Sequence, residues 1–388
     1  MSNLNVLKLK KNLRRNILQG NPWVYQDAIS SHQNIKSSTL CKVNDMKNDF
    51  LGWGVYSPNS PLALRMISLE KSPPNKDFFK KKIIKAWALR EGLRTEANNA
   101  YRFINGEGDL LPGVICDIYA SVAVLQFDGA DMSEYWDACW IAEWVLKNTN
   151  ATTVYFKPRH DMKSAPKTWG DELPDLVEIM ESGSRFYVDI VNGQKTGFFL
   201  DQRENRSYIK NISKDKLVAN LFSYSGGFSI CAGLGGAKRV TSVDIAGGAL
   251  ELANKNWALN NLKTESHRAE CADVFDWLTK NKNKYDIVIC DPPSLAKSEK
   301  QKDQAVKKYV EAFSLAARSV KENGHLVLSS CSSHISFEDF KNIADQALSK
   351  ARLRGQILKV SGQGPDHPYT HACEHLRYLK FMDIVVYK

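Results

Sequence analysis

The sequence contains no run of 18 apolar residues and no apolar stretch near its first residue of the kind that opens a secreted chain. Membrane spanning and secretion are therefore not expected, and a cytoplasmic location is. The eight cysteines are scattered, with no C-x-x-C pair. That excludes a disulfide frame and a zinc ribbon and reads as reduced, buried thiols. The densest group of metal-type residues is His367, His371, Cys373 and His375. Its spacing fits no common structural zinc site, so no metal is expected. The G-x-G-x-x-G of dinucleotide binders is also missing, which argues against a dehydrogenase.

What is present describes an ordinary globular composition with a basic excess. A chain of 388 residues is long for one core, and two or three domains are expected. The formal net charge of +10 favours a polyanionic partner. The first 70 residues hold nine Lys/Arg against four Asp/Glu, half of the total excess.

The most informative stretch runs from Val218 to Ile245. Val218–Leu221 reads as a buried parallel strand, Ser223-Tyr224-Ser225-Gly226-Gly227 as a turn, and Phe228–Leu234 as a helix ended by Gly235-Gly236. Arg239–Val243 is the next strand and stops on Asp244. The glycines let the backbone approach a ligand, and an acid at the carboxyl end of the second strand can accept from ribose hydroxyls. A nucleoside without a pyrophosphate fits this unit. Further on, Asp273 in Ala272-Asp273-Val274 can meet an adenine amine, and the strand Tyr285–Cys290 ends in Asp291-Pro292-Pro293-Ser294.

Glycine turn, ribose acid, second acid and D-P-P in this order resemble a class I S-adenosylmethionine-dependent methyltransferase over roughly residues 195–388. That resemblance implies cofactor contacts from Phe222, Ser223, Tyr224, Ser225, Gly226, Asp244, Ile245, Ala272, Asp273, Val274 and Asp291.

Upstream, Lys8, Lys10, Lys11, Arg14 and Arg15 cluster ahead of Asn21-Pro22-Trp23-Val24-Tyr25. Phe50–Tyr56 and Ala63–Ile67 read as short strands parted by Ser-Pro turns. This region resembles a PUA domain, an RNA-binding barrel, with Lys47-Asn48-Asp49 where that family usually turns on Gly. Lys71-Ser72-Pro73-Pro74-Asn75 is a linker, and Asp77 is expected to cap the helix that carries Phe79, Ile83, Ile84 and Trp87. Tyr101–Ile104, Val114–Tyr119, Ser121–Phe127 and Thr152–Phe156 are expected strands, with a helix over Asp131–Leu146. In the turn Asn105–Asp109, Asn105 and Asp109 could serve as catalytic groups, but the turn reads more simply as one held by its own Asx bonds. Arg185–Val191 is expected as a strand turning at Asn192-Gly193.

This middle region, with its segment YRFINGEGDLLPGVICDIY, resembles the connector of the RlmI-type 23S rRNA (cytosine-5)-methyltransferases. In that family the stretch Gln194–Arg203 lies against the cofactor. The resemblance makes Lys195, Asp201, Gln202 and Arg203 candidates for its methionine end.

The residue after the two prolines narrows the chemistry. Enzymes that methylate exocyclic amines place an aromatic there, and this chain has Ser294. Carbon 5 of a pyrimidine instead needs a thiolate at carbon 6 to become nucleophilic. Gly324–Ser330 reads as the fifth strand, with Cys331 at its end in S-C-S-S, beside Asp291. The motif resembles the cysteine motif of the same family, which implies Cys331 as nucleophile and Asp291 as its partner on the pyrimidine. The second cysteine of the broader 5-methylcytosine enzymes is absent. Pro292, Ser294, Lys297, Lys195 and His367 are further candidates for substrate contact. The lysines after D-P-P-S either hold phosphates or are simply solvated. His367, in the exit loop of the sixth strand, either takes the carbon-5 proton or fixes its loop.

The expected fold is α/β. Residues 1–72 form a PUA-like barrel, 76–191 a small α/β connector domain, and 192–388 a class I methyltransferase with a Rossmann-like seven-stranded sheet. The expected function is 5-methylcytosine formation in 23S rRNA, free or in an assembly intermediate, with S-adenosylmethionine as cofactor. The alternatives are another RNA base, such as 5-methyluridine, and a silent RNA-binding assembly factor. A homodimer is left open.

Overall fold

A computed structural model describes residues 5–30, 35–159, 164–296 and 298–388. The chain forms two compact units, each assembled from three segments. The first comprises the chain up to Val177 with Val188–Phe198 and Pro365–Leu376; the second comprises Glu178–Tyr187, Phe199–Gly364 and Arg377–Lys388. No helix among the described residues is long and apolar enough to cross a membrane.

The first unit holds two five-stranded sheets. One contains Phe50–Tyr56 and Leu64–Ser68 and closes over Leu7, Leu9, Ile17, Val43 and Leu64. Asn48 has φ +71 and does the work expected of glycine, because Asp45 accepts from the Lys47 and Asp49 N–H groups and fixes the turn. The basic cluster is partly neutralised: Arg14 pairs with Asp45 at 2.9 Å and Lys11 pairs with Asp27.

The other sheet includes Ala100–Asn105, Val114–Tyr119, Val122–Phe127 and Thr153–Phe156. The helix Lys76–Leu89 buries Phe79, Ile83 and Ala86; of the expected stripe, Ile84 is exposed and Trp87 only partly buried. Its cap is Asn75, not Asp77: Asn75 sits in extended backbone and accepts from the Phe78 N–H, while Asp77 lies in the first turn. The helix expected over Asp131–Leu146 is two, Ala130–Tyr135 and Ala138–Asn148. Trp136 is extended between them and Asp137 caps the second.

The turn at Asn192-Gly193 joins no hairpin. Strands Val177–Glu181 and Ser184–Val188 pair across Ser182-Gly183, whose φ values of +49 and +74 suit a two-residue hairpin turn. Asn192 instead donates to Asp189, and the Lys157 ammonium holds the Ile190 and Gly193 carbonyls.

The second unit is a seven-stranded sheet. Its strands are β1 Leu217–Leu221, β2 Arg239–Asp244, β3 His267–Cys271, β4 Tyr285–Cys290, β5 Val320–Ser330, β6 Arg354–Ser361 and β7 Lys380–Tyr387. Their spatial order is β3-β2-β1-β4-β5-β7-β6. The first five neighbours are parallel; β7 runs antiparallel between β5 and β6. β1 and β4 are almost wholly buried, as continuous apolar runs in a parallel sheet require.

The helices are α1 Arg203–Ile212, α2 Gly227–Leu234, α3 Gly247–Leu259, α4 Val274–Lys280, α5 Lys302–Arg318 and α6 Phe337–Ala351. α5 buries Ala305, Tyr309, Ala312, Phe313, Ala316 and Ala317, a helical stripe whose alanines allow close packing against Val288, Leu326 and Leu328. Strand reversal between β1 and β4 puts the switch point of the sheet at the carboxyl ends of these strands, where such folds bind ligands.

Candidate cofactor and catalytic site

The turn after β1 is wound unusually tightly. Phe222, Tyr224 and Gly226 have φ of +57, +48 and +80. The turn survives because its neighbours hold it. The Tyr224 N–H donates to Asp244 at 2.8 Å, the Gly226 N–H donates to the Ser223 carbonyl, and Asn256 of α3 donates to the Ser225 carbonyl. A Cβ on Gly226 would lie 2.9 Å from the Ala253 Cβ. Glycine is therefore required here by backbone conformation and by packing on α3, beyond the ligand approach read from the sequence.

Asp244 closes β2 with both oxygens engaged, the second accepting from the Ala246 N–H at 2.9 Å. Beside it, Ile245 is 71% exposed. The Ala272 N–H donates to the Asp244 carbonyl. Asp273 caps α4 through one oxygen, which accepts from Phe275 and Asp276, and Val274 is buried beneath it. The Ser223 hydroxyl is buried and has no hydrogen-bond partner among the described residues. An unpartnered buried hydroxyl, a wide-open apolar side chain and a carboxylate on one rim are what a nucleoside with a polar tail would satisfy. The residues present fit S-adenosylmethionine.

The stretch leading into α1 is buried. Asp201, Gln202 and Arg203 are 3%, 2% and 2% exposed. Asp201 accepts from the Tyr378 hydroxyl at 2.7 Å. A buried bidentate pair, Arg206 with Glu181 at 2.6 Å, anchors the start of α1, and Arg206 also donates to the Phe199 carbonyl.

Gln202 has a role its sequence position did not suggest. Its amide nitrogen donates to Asp291 and to the Ser329 hydroxyl, each at 2.9 Å, and its oxygen accepts from Asn205 at 2.6 Å. Asn205 is in turn held by Ser361.

β4 and β5 are parallel with Cys290 opposite Leu328. Asp291 therefore stands level with Ser329, and Cys331 lies two residues further along the neighbouring chain. Cys331 is half-buried. Pro292 is buried, whereas Ser294 is exposed and donates to the Ala296 carbonyl. The Ser332 hydroxyl donates to that same carbonyl, which ties the D-P-P-S loop to the residue after the cysteine. The Tyr309 hydroxyl accepts from Ser330, and burial pushes its pKa up.

Two candidates belong to the first unit. Lys195 is exposed there. His367 is 1% exposed with its Nδ1 on Asp366 at 3.1 Å. Asp366 is itself seated on that unit: its carboxylate accepts from the Arg102 N–H and its carbonyl from Arg90. Asn105 donates to the Pro368 carbonyl, and Asp109 forms a buried bidentate pair with Arg90. The turn Asn105–Asp109 is thus a structural seat, held by more than its own Asx bonds. Lys297 lies outside the described residues.

Comparison with known proteins agrees with this geometry. A family model described as S-adenosylmethionine-dependent methyltransferase matches residues 142–318, and one for a PUA-like domain matches residues 7–69. A Deinococcus radiodurans protein named ribosomal RNA large subunit methyltransferase is 34% identical, over 96% of this chain and 95% of its own. The ribosomal RNA large subunit methyltransferase I of Shewanella frigidimarina is 32% identical, over 96% and 97%. The crystal structure of a methyltransferase complexed with SAH superposes with a TM-score of 0.88 at 25% identity, covering 98% of this chain and 100% of the other. The chain belongs to the S-adenosylmethionine-dependent methyltransferases that carry a PUA-like domain, the family of the relatives named ribosomal RNA large subunit methyltransferase I.

Proposed function

We propose that this protein methylates carbon 5 of a cytosine in 23S rRNA, with Cys331 as nucleophile. The observation that carries the proposal is the pairing of β4 with β5, which brings Asp291 and Cys331 to adjoining strand ends. The relatives' names support a large-subunit ribosomal RNA as substrate.

The cofactor is held by the Phe222–Gly226 turn, by Asp244 and Ile245, by Ala272, Asp273 and Val274, and by Asp201, Arg203 and Asp291. When bound it supplies an electrophilic methyl group. The chain's own part begins at Cys331, whose thiolate forms a bond to carbon 6 and makes carbon 5 enamine-like. Asp291, steadied by Gln202, hydrogen-bonds the pyrimidine edge and stabilises the adduct. The target base reaches Cys331 only if it is flipped out or single-stranded. Ser294 and Pro292 border its entry, and residues 1–72 grip the RNA with 76–191 as connector. His367, with its Nδ1 on Asp366, is assigned the loop-fixing role.

The test is nucleoside mass spectrometry after incubation with labelled S-adenosylmethionine and unmodified 23S rRNA, free and in subunits. Label in 5-methylcytidine is expected; label in 5-methyluridine would remove the cytosine reading. Cys331→Ala should abolish turnover and leave S-adenosylmethionine binding intact. Retained turnover would remove the thiolate step.

A further inference from the structure

Lys380 is a buried cation with only neutral partners. It stands on β7 opposite Ser330, the last residue of the strand that leads to Cys331. It is 2% exposed, and its Nζ donates to the carbonyls of Ser332 at 2.5 Å and Tyr378 at 2.7 Å. It forms no ion pair among the described residues. A lysine in that position either sheds its proton or has an anion close by.

The groups that act on it electrostatically are Cys331 first and Asp339 second. Asp339 is already engaged by Lys302 at 2.8 Å and by Ser336. Around Cys331 itself stand Asp291 and Tyr309. Asp291 opposes a second negative charge beside it, and Tyr309 is neutral at ordinary pH. Among the described residues, Lys380 is a buried cation placed to offset a thiolate there.

We infer that Lys380 is a positioning residue that holds Cys331 as a thiolate, the chemical state that the proposed adduct requires. The thiol proton leaves to solvent, Lys380 keeps its own, and the pair carries no net charge. Burial lowers the Lys380 pKa, to about 8 even with the nearby Cys331 pulling it upward, so each group favours the charged form of the other. The inference rests on the reading of Cys331 as nucleophile, but it is tested without RNA.

The experiment follows iodoacetamide alkylation of Cys331 in the full chain from pH 5.5 to 9.5. Peptide mass spectrometry separates it from the exposed Cys271. The wild-type profile should have its midpoint below about 8, against about 8.5 for an unperturbed thiol. Lys380→Met should raise the midpoint by about one unit, slowing alkylation at pH 7 about tenfold, and Lys380→Arg should restore most of it. S-adenosylmethionine binding checks the fold of each variant. A folded Lys380→Met with an unchanged profile overturns the inference. If that variant does not fold, the wild-type midpoint decides: a value of about 8.5 or higher overturns it. Absence of 5-methylcytidine would remove the proposed product and leave the alkylation result standing.

Discussion

Replacing Gln202 with Leu tests what the site is built to hold. The substitution keeps the side chain's bulk and removes its bonds to Asp291, Ser329 and Asn205. Two of those three partners, Ser329 and Asn205, are neutral. The Asp291 carboxylate is the costly one, because a hydrogen bond to a charged group contributes about 1.5–3 kcal/mol. If Gln202 acts by orienting Asp291 toward the pyrimidine, that energy is lost in the transition state. The expected fall in kcat is then about 10- to 100-fold. The dissociation constant for S-adenosylmethionine, measured by calorimetry, should change less than about threefold. Turnover is read as methyl incorporation into 23S rRNA at saturating cofactor. The opposite split, with kcat unchanged and cofactor affinity down by the same factor, would refute the reasoning. It would return Gln202 to the methionine end of the cofactor, as the family resemblance implies.

Two further outcomes follow from the cofactor half of the sheet. Gly226→Ala forces a Cβ into left-handed backbone 2.9 Å from Ala253, and should cost about 1–3 kcal/mol in stability by denaturant titration. A stability equal to wild type would show that the turn relaxes freely. His267 is stacked on Trp257, bonded to Ser242, and pushed by burial down to about 4. Its folded pKa lies below its unfolded value of about 6.5, so the unfolded chain takes up the proton first. Stability should therefore fall as pH drops from 6.5 toward 4, by up to about 3 kcal/mol from this residue. A His267→Gln variant with the same acid slope would contradict it.

The sequence made the strand ends of the candidate site legible for a physical reason. Central parallel strands are buried on both faces, so β1, β4 and β5 appear as apolar runs that stop at Phe222, Asp291 and Cys331. β4 falls at Tyr285–Cys290 as expected. The supports of those ends were not legible. Gln202 reaches Asp291 across 89 positions and Lys380 reaches Ser332 across 48, and neither contact leaves a local pattern. Local chemistry misled where two candidates competed. Asn192-Gly193 is a good turn pair, but Ser182-Gly183 has a strand on each side. Asn75 precedes Asp77 and takes the cap first.

The stitching of the chain has a consequence for how the protein is made. Asp366, Pro368 and His367 complete the first unit, where Arg90, Arg102 and Asn105 await them. That segment is translated 188 residues after Val177. At the usual pace of synthesis, about 5–20 residues per second, the seat stays unfilled for about 10–40 s. During that interval the Arg90–Asp109 pair is open to water, and the amino-terminal portion is an unfinished body. A fragment ending near residue 177 would carry the same defect permanently, so the first unit cannot be obtained whole by simple truncation. Supplying residues 365–376 as a peptide should raise such a fragment's resistance to protease.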